Sequence, residues 1–267
     1  MTEKQTGFGH RKGSNVENTV PCLALENLTK DFGGLRAVAK ITLSIQPGER
    51  HVFMGPNGAG KTTLFNLISG EIPATDGRIV LFGRDVTQLA SYQRAALGIA
   101  RTFQITNLLP NLTVFENLLL ACEALSRTKF VMLWPVSRYG HLLERAQHLL
   151  NDFGLGELRD EPVKNISYGD QRKVEVALSL ATRPRLLLLD EPMAGLSSSE
   201  THSMDLLLKK LDPAITVLLI EHDMDVALAF AEKITVLHQG QVLAQGTKDE
   251  IRTNPMVQEI YLGVDVE

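Results

Sequence analysis

The chain has 267 residues, 44% of them hydrophobic, enough to bury one full core with a subdomain beside it. A net charge of -4 at pH 7 excludes the basic footprint of a nucleic-acid binder. Two cysteines, Cys22 and Cys122, exclude a disulfide framework and suit a reduced, cytosolic setting, and no apolar run reaches the ~18 residues of a membrane span. Nor does the N-terminus carry the apolar stretch of a signal peptide, so any membrane role is expected to come through a partner.

In chain order, residues 1–20 are polar and aperiodic and read as a mobile tail, leaving 21–267 as the folded unit. From Leu23 to Ile45 the pattern favours strands, with Ile41, Leu43 and Ile45 alternating before the Pro47-Gly48 turn. His51-Val52-Phe53-Met54 reads as a buried strand. It runs into Gly55-Pro56-Asn57-Gly58-Ala59-Gly60-Lys61-Thr62, and Thr63 continues into a helix with Leu64, Leu67 and Ile68 on one face and Gly70 as its stop. Gly77 to Phe82 is a further strand. Residues 88 to about 165 are expected to be mostly helical, since Val114, Leu118 and Ala121, and then Leu142, Ala146 and Leu149, fall at helical spacing. Between these lies the aperiodic apolar patch Phe130–Trp134, read either as a docking surface or as buried core. From 167 onward helix and strand alternate: a helix to Ala181, a strand Leu186–Leu189, a helix to Leu211, a strand Ile215–Ile220, a helix, and strands near 234–238 and 241–245. This order predicts an α/β fold, a mostly parallel sheet with flanking helices.

Ligands of such sheets sit beyond the carboxyl ends of the strands. Three polar groups are expected there. The 55–62 loop is G-x-x-x-x-G-K-[ST] between strand and helix, the pattern in which backbone N–H groups and a helix N-terminus cradle phosphates. Lys61 supplies a point charge for β- and γ-phosphates, and the Thr62 hydroxyl can ligate Mg²⁺. Asp190-Glu191 ends one apolar strand; Asp190 would hold the Mg²⁺ hydration shell and Glu191 would take a proton from the attacking water. Glu221-His222 ends another, and His222 can donate to a γ-phosphate beside Glu191. Together these residues imply a nucleoside triphosphatase. Ser167 is expected to cap a helix with Val174, Ala177, Leu178 and Ala181 on its apolar face, which aims free N–H groups at an anion.

With these motifs the chain resembles the ATP-binding subunit of an ABC transporter over residues 23 to 262. The resemblance implies a P-loop core with an N-terminal antiparallel β-subdomain and an inserted helical subdomain at about 88–165, with ATP and Mg²⁺ as cofactors. Ile166-Ser167-Tyr168-Gly169-Asp170-Gln171-Arg172 is similar to the family's signature motif, which reaches across a head-to-tail dimer to the γ-phosphate held by a second ATP-binding subunit; Ser167 and Gly169 would make that contact. Gln104 matches the family's Mg²⁺-ligating glutamine. Phe32 falls where the family stacks an aromatic residue on adenine, and packing at a strand end is the competing reading. Three positions depart from the family pattern: Tyr168 stands where glycine is usual, Asp170 where glutamine is common, and Ser197 where aspartate is frequent. Ser197 with Glu200 has the spacing of a capping box.

Phe32-Gly33-Gly34-Leu35, Arg101-Thr102-Phe103-Gln104, Ser167-Tyr168-Gly169, Glu221-His222-Asp223-Met224 and the Asn254-Pro255 to Tyr261-Leu262-Gly263 ending are similar to the subfamily powering uptake of branched-chain amino acids and related polar solutes such as urea. That resemblance implies two transmembrane permease subunits, a paired ATPase (identical or different), an extracytoplasmic solute-binding protein, and attachment to the cytoplasmic face of the membrane. A lipopolysaccharide-export ATPase shares several of the motifs. A soluble ATPase of DNA repair or translation is the alternative of a different class.

Overall fold

A computed structural model describes residues 20–102, 108–124 and 140–262. Alternating burial builds the first sheet: β1 (Leu23–Phe32) and β2 (Leu35–Ile45) pair antiparallel, with Ile41, Leu43 and Ile45 turned inward. With β4 (Asp76–Leu81) and the two-residue β5 (Arg84–Asp85), they form an antiparallel sheet in the order β2-β1-β4-β5.

The second sheet contains β3 (Arg50–Met54), β6 (Ile99–Arg101), β7 (Leu186–Asp190), β8 (Thr216–Ile220), β9 (Lys233–His238) and β10 (Gln241–Thr247). Their order is β10-β9-β3-β8-β7-β6, parallel except for the β10–β9 pair. Covered on both faces, its central strands are buried along nearly their whole length, as apolar runs in β7 and β8 and with the buried His51–Thr235 pair joining β3 to β9. Leu186 and Leu188 pack towards the antiparallel sheet, whereas Leu187 and Leu189 pack towards the helices, and all four are fully buried. Each such leucine contributes roughly 1.5–3 kcal/mol by burial. The strand is thereby fixed from both sides, with Asp190 held at its tip.

The helices are α1 (Lys61–Ser69), α2 (Ser91–Ala96), α3 (Val114–Glu123), α4 (Gly140–Asp152), α5 (Tyr168–Ala181), α6 (Ser198–Lys209), α7 (Met224–Phe230), α8 (Lys248–Arg252) and α9 (Pro255–Leu262). Gly70 ends α1 as expected. Val114, Leu118 and Cys122 of α3 join Leu142, Ala146 and Leu149 of α4 in one core with α5, and Thr113 and Glu116 close a capping box at the start of α3.

One stretch of the segment expected to be helical is strand: Ile99-Ala100-Arg101 forms the edge of the parallel sheet, paired with Leu186–Leu188. Three residues are too few to display a period of two. Gln104 and the Phe130–Trp134 patch lie outside the described residues. Among the described residues no helix is long and apolar enough to cross a membrane.

Candidate active site

The site forms where β3, β8 and β7 end side by side. The Glu221 N–H donates to the Phe53 carbonyl at 3.2 Å and the Glu191 N–H to that of Ile220 at 3.1 Å, so three strand tips are tied in register. Gly55, Pro56, Asn57, Gly58, Ala59 and Gly60 link β3 to α1. At Gly60 φ is +100° and a Cβ would lie 2.4 Å from the Ala37 carbonyl oxygen, so only glycine fits. The Lys61 ammonium is drawn inward, donating to the Gly55 carbonyl at 2.6 Å and to that of Pro56 at 3.1 Å. Burial lowers its pKa from the ordinary lysine value, opposed by the nearby Glu191 and Asp190 carboxylates. Asn57 to Thr63 line a cleft of about 520 Å³ together with Phe32, Leu35, Arg36, Glu191 and Gln239. Phe32 is 48% exposed at its rim, with the Lys30 ammonium 5.0 Å from the ring centroid, so it is not part of the core. Its face remains available for stacking.

Asp190 is 1% exposed. Burial raises its pKa, and the Arg101 guanidinium, which donates to Oδ2 at 3.0 Å, opposes that rise. Its other oxygen, Oδ1, is buried without a hydrogen-bond partner. A buried, unpartnered anionic oxygen beside a phosphate loop suits a hard divalent cation, because Mg²⁺ is commonly held by one or two protein oxygens plus phosphate and water. Glu191 has φ +47°, a left-handed conformation rare for a residue with a side chain. The turn that holds it is closed by the Ala194 N–H donating to the Glu191 carbonyl at 3.1 Å. The strain brings the carboxyl to the cleft wall rather than continuing the strand direction. His222 Nδ1 is 4.0 Å from Glu191 Oε1, a neighbour rather than a direct hydrogen-bond partner, and its ring is largely exposed.

The structure therefore brings Phe32, residues 57–63 and Glu191 into one cleft, with Gly55 and Pro56 behind it accepting from the Lys61 ammonium, Asp190 beneath and His222 beside them. It does not bring Ser167 and Gly169 to that cleft. Ser167 caps α5, accepting from the Asp170 N–H at 3.1 Å, and its hydroxyl donates to Asp170 Oδ2 at 2.8 Å. Lys173 pairs with the other Asp170 oxygen at 2.9 Å. Although burial opposes it, these bonds hold the Asp170 carboxyl below its usual pKa. Gly169 packs against α6, where a Cβ would lie 2.3 Å from Glu200 Oε1. That carboxylate closes the capping box with Ser197, as the spacing predicts.

Two residues given no role from sequence belong to this site. Arg101 clamps Asp190 to α1, also donating to Asn66 Oδ1 at 2.6 Å and Ser69 Oγ at 3.1 Å. Its clue would have been a buried acid that needs a counter-charge, but only the fold shows which cation supplies it. Glu221 is 1% exposed, with Oε1 unpartnered. Burial foremost, then the Glu191 charge, pushes its pKa up to about 7, although the Met193 and His222 backbone N–H groups oppose the rise. An acid directly after the four apolar residues Val217–Ile220 was the available signal.

Residues 38–194 match the ABC transporter family. The chain belongs to that family. It is an ATPase of the ABC type, with the P-loop α/β fold that the motifs implied. It is 41% identical over 250 residues to the high-affinity branched-chain amino acid transport ATP-binding protein LivG of Salmonella typhimurium, covering 91% of this chain and 98% of that protein. Among solved structures, the ADP conformation of an ATP-binding cassette of an ABC transporter superimposes with a TM-score of 0.81 at 31% identity, covering 92% of this chain and 100% of that one. A dimeric cassette in a post-hydrolysis state, bound to ADP and Pi, gives 0.73 at 29% identity, covering 85% and 98%.

Proposed function

We propose that this ATPase is one of a pair of subunits that energise an importer of branched-chain amino acids from the cytoplasmic face of the membrane. The observation that carries the chemistry is the convergence of Lys61, Asp190 and Glu191 at the tips of adjacent parallel strands. Substrate and direction rest on the likeness to LivG, which covers nearly the whole of both chains.

The residues divide the work. The loop N–H groups and Lys61 bind the β- and γ-phosphates, Thr63 extends that cradle, and Phe32 stacks on the adenine. Glu191 accepts the proton of the attacking water, and His222, 4.0 Å away, donates to the γ-phosphate and keeps Glu191 aligned. Thr62, the free oxygen of Asp190 and Gln104 would hold Mg²⁺, which when bound neutralises charge on the phosphates. Ser167 and Gly169, remote from the chain's own cleft, would contact the γ-phosphate of a second copy or a related subunit. Two transmembrane permease subunits would receive the work of closure, and an extracytoplasmic solute-binding protein would deliver the cargo.

Uptake of labelled leucine by cells in which Lys61→Ala replaces the native chain tests this reading. High-affinity leucine uptake should disappear while uptake of an unrelated solute persists. Undiminished leucine uptake in cells shown to lack another high-affinity leucine importer would overturn it.

A further inference from the structure

Tyr168 stands where the family's signature has glycine, and its side chain does not point at the chain's own cleft. Its hydroxyl donates to the Ala194 carbonyl at 3.3 Å and accepts from Arg172 Nε at 2.9 Å. The ring lies against Gly195, where a Cβ would come within 3.2 Å of Cε1, and the Arg172 guanidinium carbon is 5.1 Å from its centroid. Arg172 is itself fixed, donating to Glu175 Oε2 at 2.8 Å in a nearly buried pair. Ala194 is the residue whose N–H closes the turn on the Glu191 carbonyl. One hydroxyl thus holds the far side of the turn whose first residue is Glu191, and a buried ion pair along α5 holds that hydroxyl.

The turn needs holding. Glu191 sits at φ +47°, which for a residue with a side chain persists only when the surroundings over-determine it, whereas Gly195 takes +77° without strain. The Ala194 carbonyl accepts nothing within the backbone of the turn, so without Tyr168 it would turn to water and the loop would gain alternative conformations. A glycine at 168 could supply neither the hydroxyl nor the ring.

We propose that Tyr168 is a positioning residue for Glu191, bracing the 191–195 turn against the start of α5 in the same chain. The brace also ties the start of α5, which carries Ser167 and Gly169, to the loop that carries the chain's own base. The inference rests on Glu191 being that base, so the experiment includes a Glu191→Gln arm.

ATP hydrolysis by the full-length protein, with ATP affinity and melting temperature, is measured for wild type, Tyr168→Phe, Glu191→Gln and the double variant. Tyr168→Phe keeps the ring and removes one hydroxyl. It should lower kcat about three- to tenfold, with KM for ATP within about twofold and the melting temperature almost unchanged. In the Glu191→Gln background the same change should cost less than about twofold, because a base that is absent cannot be misplaced. Unchanged kcat in Tyr168→Phe would overturn the proposal. So would a loss expressed in KM, or an equal loss in both backgrounds, since either would mean that Tyr168 serves nucleotide contact or fold. Full activity in Glu191→Gln alone would overturn the assignment of the base, a different result from any of these.

Discussion

The phosphate loop and the start of α5 are both helix N-termini, yet they are built differently. The first is sunk among strand tips: Lys61 is buried, Asp190 lies beneath, and the backbone at Gly60 is so close to Ala37 that no side chain fits. The second is a surface cap with its hydroxyl and first-turn acid bonded to each other. On the proposed function the enclosed end holds the phosphates in its own chain's cleft, and the exposed end, which does not line that cleft, meets those held by a second subunit. On that proposal a single chain contains every chemical group while holding only part of each site.

Removing the lysine breaks the enclosed end most severely. Lys61→Ala deletes the buried charge facing the phosphates and should reduce ATP turnover by ~10²-fold or more, together with a loss of nucleotide affinity, read by steady-state hydrolysis and equilibrium binding. Retained activity would show that the loop is not the catalytic end. Glu191→Gln separates binding from chemistry: hydrolysis should slow by roughly 10²-fold while ATP affinity is preserved, and the protein should accumulate as an ATP-dependent dimer on size exclusion. A species that stays monomeric with ATP would count against a shared site.

The enclosed end should also carry a pH signature. The folded-state pKa of Glu221 is raised to about 7 from 4.5, so between those values the folded protein holds more protons than the unfolded chain. Its stabilising effect is complete below about pH 4.5 and is lost as pH rises through about 7, a change of the order of 3 kcal/mol. Glu221→Gln should therefore match wild type in melting temperature near pH 4.5 and exceed it at pH 8. Parallel melting curves for the two proteins would contradict the burial of this acid. The smallest effect belongs to the exposed end. Because Ser167 and Lys173 hold the Asp170 carboxylate on its own helix, Asp170→Gln should change KM for ATP less than about tenfold and cost about 0.3–1 kcal/mol of helix stability. A large gain in affinity would show the charge facing a phosphate.

The same contrast governs what could be read from sequence. The phosphate loop, the two acidic strand tips and the alternation after residue 167 were legible because the signal is local: fixed glycine spacing, four leucines ending in Asp190-Glu191, a serine three residues before an acid. β6 was not, being three residues held by β7 rather than by a pattern of its own. Nor could the left-handed turn at Glu191 be foreseen, because nothing in Asp-Glu-Pro demands it; the neighbouring strand and Ala194 impose it. The sequence shows Arg101 and Tyr168 only as parts of motifs, because their partners, Asp190 and Ala194, are 89 and 26 residues away in sequence. Exposure of Phe32 at the cleft rim likewise depends on the β1–β2 hairpin and not on the residue itself.

The central claim, that each cleft is completed by the α5 start of a second ATP-binding subunit, is tested most directly by mixing two inactive variants of this chain. Lys61→Ala has a broken loop and an intact cap, and Ser167→Arg has an intact loop and a blocked cap. In a mixed dimer one site combines both defects, and the other combines the intact loop with the intact cap. ATP hydrolysis by the mixture should rise well above that of either variant alone and peak near equal proportions. A mixture as inactive as its components at every ratio, with mixed dimers shown to form, would contradict the account.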